Sequence, residues 1–333
     1  MSNSWVAESG QRPLVSIIMS HLNNSPDGET SQFVVETLES VASQTYLDNT
    51  GGAELIIFDD GSPPHQLRSL REIVAELQQR HKGRFVNFSG VHSVVPNMGK
   101  NTVLEFAKSH IDRDRSRYTV VIDRDDVYRP NFLEALFLHL EGQRKINPDM
   151  VMAYSDNILI TKEGYICGIG CALPFDRDEY YGVNGQPGKN HIPGPSLVLT
   201  KRFLAGFPKD FYNDRDKHKR HIGELGDRKK DKYAATHFGY QNTSAGMLYE
   251  QGDQLFFYRQ HQDQMTGSMA QLHNDTRYGP EGFFASVPLD FPKMHWRDFE
   301  ALSRAQQIEL LDKIPRADHQ HWEHYRPAPR VQA

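Results

Sequence analysis

Short apolar runs alternate with amphipathic stretches through the first half of the chain. Apolar runs rich in β-branched residues predict buried strands at 14–19, 54–58, 85–88 and 118–122. Between them, apolar residues recur at helical spacing over 31–44, 67–79 and 102–108. Strands that alternate with helices predict an α/β fold, with a mixed but mostly parallel sheet flanked by helices.

The pattern changes in the second half. Pro130 is placed to open a helix whose apolar face runs from 132 to 140. Further strands are predicted at 150–154, 158–161 and 255–258, with a tight turn at 162–164 after the second of them. Two polar stretches predict long loops, and one amphipathic helix is expected near the end. The loops fall at 174–195 and 209–232, and the helix at 299–311.

Composition narrows the possible functions only slightly. The net charge of -5 gives no general attraction to nucleic acid or to an anionic membrane. No apolar run approaches the roughly 20 residues that a membrane-spanning helix needs. Cys167 and Cys171 are too few for a four-ligand zinc site, and we expect both to be reduced thiols. The first residues lack the features of a secretory signal, so a cytoplasmic location is expected, with peripheral membrane association left open.

Three carboxylates follow the strand predicted at 118–122. Asp123, Asp125 and Asp126 come at its carboxyl end, which is where open α/β sheets place their ligands. Carboxylate oxygens suit Mg²⁺ or Mn²⁺, and such an ion would in turn hold a diphosphate. The structural alternative is a solvated acidic turn ahead of a helix.

Polar residues at the other strand ends could contact a nucleotide. Asn23 follows the first strand and Asp59 and Asp60 follow the second, while Asn97 and Lys100 come after the third. The aspartates could accept hydrogen bonds from a base and a ribose, and Lys100 could face a phosphate. The first strand is not followed by the glycine-rich loop of dinucleotide-binding folds, so side chains and a metal would have to do that work.

Several motifs occur in the order typical of one enzyme family. They are Pro-Leu-Val-Ser-Ile-Ile at 13–18, Ser-Val-Ala-Ser-Gln-Thr at 40–45, Asp-Asp-Gly-Ser at 59–62, Asn-Met-Gly-Lys at 97–100, Asp-Arg-Asp-Asp at 123–126, Pro-Asn-Phe-Leu at 130–133 and Tyr-Arg-Gln-His at 258–261. The series resembles glycosyltransferase family 2, the inverting sugar-nucleotide transferases of GT-A fold. The resemblance extends from about residue 13 to residue 269.

The resemblance implies a role for each matching residue. Asp59 and Asp60 would bind the nucleoside, and Asp123 would lie near the ribose. Asp125 would bind Mn²⁺ or Mg²⁺, and His261 would approach the same metal or the phosphates. The donor implied is a nucleoside-diphosphate sugar, most simply a UDP-sugar.

The catalytic base is less well marked. The family usually has a pair of acids at the start of a helix, whereas this chain has Gly-Asp-Arg-Lys-Lys-Asp at 226–231. Asp227 lies nearest the expected position, and Glu224 and Asp231 remain alternatives. Such a base would take the proton of the acceptor hydroxyl.

The resemblance also divides the chain. We expect an N-terminal tail at 1–12, a GT-A domain at 13–270 and a C-terminal extension with a short helix at 271–333. Within the domain, 13–126 would bind the nucleotide and 127–270 the acceptor. The Gln-x-x-Arg-Trp motif of processive members does not occur, which favours the addition of a single sugar.

The acceptor is left open by the sequence. A glycan, a lipid-linked sugar, a protein or a small molecule could each serve, and a nucleic acid is less favoured. Two other functions also stay open at this point. One is a sugar-1-phosphate nucleotidyltransferase, and the other is a catalytically inactive module of the same fold that binds sugar nucleotides or glycans.

Overall fold

The computed structural model describes residues 14–21, 30–49, 52–59, 61–82, 84–92, 116–148, 150–170, 198–201, 244–248, 254–259 and 292–314. The strands in these ranges are β1 (Leu14–His21), β2 (Ala53–Asp59), β3 (Phe85–His92), β4 (Ser116–Asp123), β5 (Val127–Tyr128), β6 (Met150–Ser155), β7 (Asn157–Ile160), β8 (Ile166–Ile169), β9 (Val198–Thr200), β10 (Ser244–Leu248) and β11 (Phe256–Arg259). The helices are α1 (Thr30–Ala42), α2 (Pro64–Arg80), α3 (Phe132–Ile146), α4 (Trp296–Glu300) and α5 (Arg304–Leu311), with a 3₁₀ helix at Thr45–Asn49.

The larger sheet confirms the predicted α/β class. Seven of the described strands form it in the order β10-β6-β9-β4-β1-β2-β3. Neighbours pair in parallel except around β9, which is antiparallel to both β4 and β6. Every residue of β2 is buried, as expected for a strand covered on both faces. The apolar faces of α1, α2 and α3 supply the other side of this core.

The register of the central strands brings their polar ends together. His21 at the end of β1 pairs with Asp59 at the end of β2. On the other side of β1, Ser20 pairs with Asp123 at the end of β4. Because these three strands are parallel, their carboxyl ends meet at one edge of the sheet. Asp59 and Asp123, two of the predicted site residues, therefore lie at the same edge of the sheet, on either side of β1.

A smaller sheet carries a second core. Its order is β5-β11-β7-β8, and β7 and β8 form the hairpin expected around 162–164. Gly164 has a φ of 93°, a conformation that suits glycine in a tight turn. Apolar side chains from this sheet pack against residues 292–314, which we call the C-terminal segment. The buried members are Val127, Ile158, Ile160, Ile166, Ile169, Phe257, Phe299, Leu311 and Ile314.

The single helix predicted at 299–311 is wrong in detail, because two short helices occupy the region. The first ends at Glu300, and Ser303 then caps the second. The Ser303 side chain accepts a hydrogen bond from the Gln306 backbone N–H, and the Gln306 side chain accepts one from the Ser303 backbone N–H. This capping box starts a new helix because it satisfies backbone groups that a continuous helix would have paired internally.

Other predictions are tested only in part. The helix expected at 102–108 and the loops at 174–195 and 209–232 lie outside the described residues. Cys167 is a buried free thiol whose pKa is raised to about 12 by burial, and Cys171 is not among the described residues. Within the described ranges, no helix combines the length and apolar character that crossing a membrane requires.

Candidate active site

The acid loop, residues 123–126, contains two kinds of carboxylate. Asp123 and Asp125 are partly exposed at the carboxyl end of β4, whereas Asp126 is fully buried. The Asp126 carboxylate accepts a hydrogen bond of 3.0 Å from the backbone N–H of Arg259. Its carbonyl accepts one of 2.7 Å from the Thr37 hydroxyl. Asp126 therefore anchors the loop, and Asp123 and Asp125 are the carboxylates that a ligand could reach.

The buried Tyr128 lies close to the three carboxylates of the acid loop. Its pKa is raised well above 10, first by complete burial and then by the negative charges of Asp126, Asp123 and Asp125. Its hydroxyl oxygen accepts a hydrogen bond of 3.1 Å from the backbone N–H of Asp123. The phenol thus remains neutral and holds the first residue of the acid loop in place.

The partly exposed acids, Asp123 and Asp125, suit a hard divalent cation. Carboxylate oxygens are the donors that Mg²⁺ and Mn²⁺ prefer, and Mg²⁺ is usually held by one or two carboxylates together with substrate phosphates. Asp123 and Asp125 supply such a pair. Among the described residues, no group of three or more His, Cys, Asp or Glu side chains could hold a metal by itself. The two carboxylates fit a divalent ion that takes its remaining ligands from other groups.

Asp59 is the last residue of β2 and precedes the turn, with only 1% of its surface exposed. One carboxylate oxygen accepts hydrogen bonds from His21 Nδ1 at 2.7 Å and from the Ser62 hydroxyl at 2.5 Å. The other oxygen accepts the Ser62 backbone N–H at 3.0 Å. Gly61, with a φ of 90°, allows the chain to turn between them. The carboxylate thus orders the turn, and its predicted contact with a nucleoside stays a prediction.

His21 is the partner of Asp59 that the sequence did not single out. Burial lowers the pKa of its imidazole; the hydrogen bond to Asp59 acts in the opposite direction, and the positive charge of Arg124 lowers the pKa further. The neutral ring donates from Nδ1, because an ionised carboxylate can only accept. Its location could not be read from the sequence, since it depends on the pairing of β1 with β2.

Polar side chains at the end of α1 hold the segment that follows the acid loop. Gln44 is fully buried; its amide nitrogen donates to the Arg129 carbonyl at 2.7 Å, and its oxygen accepts the Leu133 backbone N–H at 3.0 Å. Ser40 accepts the Tyr128 backbone N–H at 3.0 Å. These contacts give a physical reason for the Ser-Val-Ala-Ser-Gln-Thr motif at 40–45, to which the sequence alone assigned no task.

The structure leaves most of the predicted site untested. Only three of the predicted site residues, Asp59, Asp123 and Asp125, lie in the described ranges, and the register of β1, β2 and β4 gathers them at one edge. The others fall outside those ranges; they are Asn23, Asp60, Asn97, Lys100, Glu224, Asp227, Asp231 and His261.

Comparison with known proteins places the chain in a family. The model of glycosyl transferase family 2 matches residues 16–205, which is more than half of the chain. The chain therefore belongs to glycosyl transferase family 2, as the motif series predicted.

Two curated relatives match part of the chain at under 30% identity. An uncharacterized glycosyltransferase of Methanocaldococcus jannaschii is 27% identical over 136 residues, covering 41% of this chain and 40% of that protein. An uncharacterized protein of Sinorhizobium fredii is 28% identical over 173 residues, covering 52% of this chain and 16% of its own length. The chain thus spans less than half of either relative.

Solved structures give a weaker likeness. A mannosyltransferase of Pyrobaculum calidifontis in complex with GDP-Man and Mn²⁺ has a TM-score of 0.46 at 14% identity, over 90% of this chain and 73% of that one. The S. aureus protein TarS in complex with UDP-GlcNAc has a TM-score of 0.42 at 10% identity, over 89% and 70%. These values are too low to transfer a donor or a metal to this chain.

Proposed function

We propose that this chain is a metal-dependent inverting glycosyltransferase that moves one sugar from a nucleoside-diphosphate sugar to an acceptor hydroxyl. One observation carries the proposal. In a chain of glycosyl transferase family 2, the pairing of β1 with β2 and β4 brings the Asp59 turn and the partly exposed acids Asp123 and Asp125 to the same edge of a parallel sheet. That edge is where α/β folds of this kind bind their ligands.

The two sides of the edge would hold different parts of the donor. The turn after β2, ordered by Asp59 and Ser62, would present Asp60 to the nucleoside. Asp123 would lie near the ribose, and Asp125 would hold Mn²⁺ or Mg²⁺. The ion, when bound, would stabilise the negative charge that develops on the departing nucleoside diphosphate. A UDP-sugar is the donor we favour, on the resemblance of the motifs alone.

Residues beyond the described ranges complete the proposal. Asn23, Asn97 and Lys100 would contact the nucleotide, and His261 would approach the metal or the phosphates. Transfer with inversion needs a base that takes the proton of the acceptor hydroxyl while that oxygen attacks the anomeric carbon and the bond to the diphosphate breaks. Asp227 is the proposed base, with Glu224 and Asp231 as alternatives.

Calorimetric titration of UDP, GDP, CDP and dTDP, each with and without Mn²⁺, tests the donor site. We expect UDP to bind best and to require the metal. Transfer of the sugar from UDP-sugars, first to water and then to a panel of acceptors, would follow, with the released UDP as the readout. If no nucleotide binds in either condition, the transferase proposal fails. Release of pyrophosphate from a nucleoside triphosphate and a sugar 1-phosphate would instead support a nucleotidyltransferase. Donor binding without transfer or hydrolysis would support an inactive binding module.

A further inference from the structure

Arg259 has a buried guanidinium that is hydrogen-bonded to the backbone of the acid loop. Its side chain is 2% exposed. Its Nε donates to the Asp125 carbonyl at 2.9 Å, and Nη1 donates to the Lys162 carbonyl at 2.7 Å. Its carbon Cζ lies 4.5 Å from the centre of the Phe33 ring. The backbone N–H of Arg259 also donates to Asp126. Together these contacts join β11 to Asp125, the proposed metal ligand.

Glu36 supplies the counter-charge for this buried group. One of its oxygens accepts a hydrogen bond from Arg259 Nη2 at 2.5 Å, and the other accepts one from Arg297 Nη2 at 2.8 Å. The Glu36 side chain is 9% exposed, whereas that of Arg297 is 57% exposed. The negative charges of Asp126 and Asp125 also stabilise the guanidinium, but Glu36 contributes the largest of the three, so its removal destabilises Arg259 at this position. Through Arg297, the same carboxylate contacts the C-terminal segment.

A second arginine ties the C-terminal segment to the other end of the loop region. Arg129 donates from Nε to Glu300 at 2.6 Å and from Nη2 to the Gln307 side chain at 2.5 Å. Its backbone N–H donates to the Leu255 carbonyl at 3.0 Å. Burial raises the pKa of Glu300, and Arg129 acts against that rise. Charged side chains thus join the C-terminal segment to the chain before β5, through Glu36 and Arg259, and to the chain after β5, through Arg129.

We propose that Glu36 is a positioning residue for the acid loop and that it couples the C-terminal segment to the donor site. That the acid loop is part of a donor site rests on the proposed function. The contacts between Glu36, Arg259 and Arg297 do not depend on it. The C-terminal segment and Arg259 lie beyond residues 16–205, the part matched by the family model. The position of Asp125 is thus set partly by residues outside that part.

The test compares the unmodified chain with two single variants and one control variant. Glu36→Gln keeps the shape of the side chain and removes its charge, and Arg297→Ala removes only the exposed arm. Lys313→Ala is the matched control, because Lys313 is 56% exposed and pairs with Glu309 at 3.0 Å in the same segment without contacting the loop. Amide hydrogen exchange is measured without ligand. The informative amides are those of Asp123, Tyr128 and Arg129, each of which donates a hydrogen bond.

We expect Glu36→Gln to speed exchange at residues 123–129 at least about tenfold, as when one charge-assisted hydrogen bond that orders a loop is lost. Exchange in β1 and β2 should not change, and Lys313→Ala should match the wild type. A folded Glu36→Gln protein with unchanged exchange at 123–129 would overturn the proposal. If Glu36→Gln does not fold, Arg297→Ala decides. Faster exchange at both 292–300 and 123–129 supports the coupling, and a change confined to 292–300 overturns it.

A binding measurement then separates this inference from the proposed function. In the wild type, Mn²⁺-dependent binding of UDP tests the proposed function alone. Where the wild type binds UDP in this way, Glu36→Gln should weaken the binding about tenfold. The urea midpoint for unfolding of Arg297→Ala should stay close to that of Lys313→Ala. If the wild type binds none of the four nucleotides, the proposed function fails, and the exchange data still decide whether Glu36 positions the loop.

Discussion

At the scale of single residues, the site separates carboxylates that look alike in the sequence. Asp123, Asp125 and Asp126 lie within four positions of one another, yet only Asp126 is fully buried, and it bonds to Arg259. Asp59 is buried as well and is bonded to His21 and Ser62. Exposure and hydrogen bonding thus divide these acids into anchors and candidate ligands.

Asp125→Asn tests the candidate metal ligand. The amide keeps the size of the side chain but removes the negative charge that a hard divalent ion needs. We expect Mn²⁺-dependent UDP binding to weaken by about tenfold or more, with little change in thermal stability. Calorimetry and an unfolding curve measure both. Glu72→Gln, which removes an exposed charge from α2, is the control and should bind as the wild type does. Full binding and transfer by Asp125→Asn would rule out its role.

His21 makes stability depend on pH in a stated direction. Its pKa in the folded protein lies below the ordinary value of 6.5, so the unfolded chain binds the proton more readily. Its contribution is therefore complete above about pH 6.5 and is lost as the pH falls toward the lower, folded value. The groups that act on it are Asp59, which favours the charged ring, and Arg124, which opposes it.

Urea unfolding at pH 5.5, 6.5 and 7.5 measures this effect. We expect the wild type to lose more stability on acidification than His21→Gln, because the variant has no buried imidazole to protonate. The difference in free energy of unfolding between the two proteins should therefore shrink as the pH falls. A difference that stays constant across this range would show that His21 does not titrate differently in the folded and unfolded states.

At the scale of elements, the start of α3 depends on a residue from another helix. Its N-cap residue, Asn131, makes no capping bond with its side chain. The buried amide of Gln44 instead accepts the Leu133 N–H, one of the backbone donors that a helix cannot pair internally. The same amide donates to the Arg129 carbonyl. Gln44 therefore links the end of α1 to the chain that leaves the acid loop.

Gln44→Ala should be strongly destabilising. It removes three hydrogen bonds, with the Ser40 carbonyl, the Arg129 carbonyl and the Leu133 N–H, and leaves these backbone groups without this partner. We expect the free energy of unfolding to fall by about 2–4 kcal/mol. Urea unfolding measures the change. Gln79→Ala on the exposed face of α2 is the control and should stay within about 0.5 kcal/mol of the wild type. A loss no larger than that of the control would mean that water replaces the amide.

The elements also show what the sequence could predict. The strands near β1, β2 and β4 were found because their apolar runs are a local signal that survives packing. The break before Ser303 was missed, although Ser-Arg-Ala-Gln at 303–306 has the spacing of a capping box. The pairing of Glu36 with Arg259 and that of His21 with Asp59 carry no such signal. Each joins positions far apart in the chain, and only the register and packing of the elements bring them together.

At the scale of the whole molecule, the C-terminal segment is packed like part of a core. Phe299 is fully buried, and its ring centre lies 6.0 Å from that of Phe257 in an edge-to-face contact. The guanidinium of Arg129 lies 5.6 Å from the same ring. A segment that was merely appended would unfold on its own, with little effect on the smaller sheet. One that shares this core should unfold together with it.

Phe299→Ala distinguishes the two cases. Truncating a fully buried aromatic ring leaves a cavity, and we expect a loss of about 3–5 kcal/mol from the free energy of unfolding. If the segment shares the core, that loss should appear in one cooperative transition, followed in parallel by tryptophan fluorescence and by far-ultraviolet circular dichroism. Trp296, one turn before Phe299, reports locally on the segment. A variant in which fluorescence changes at lower urea than circular dichroism would mean that the segment unfolds independently. The acid loop would then retain its geometry without it.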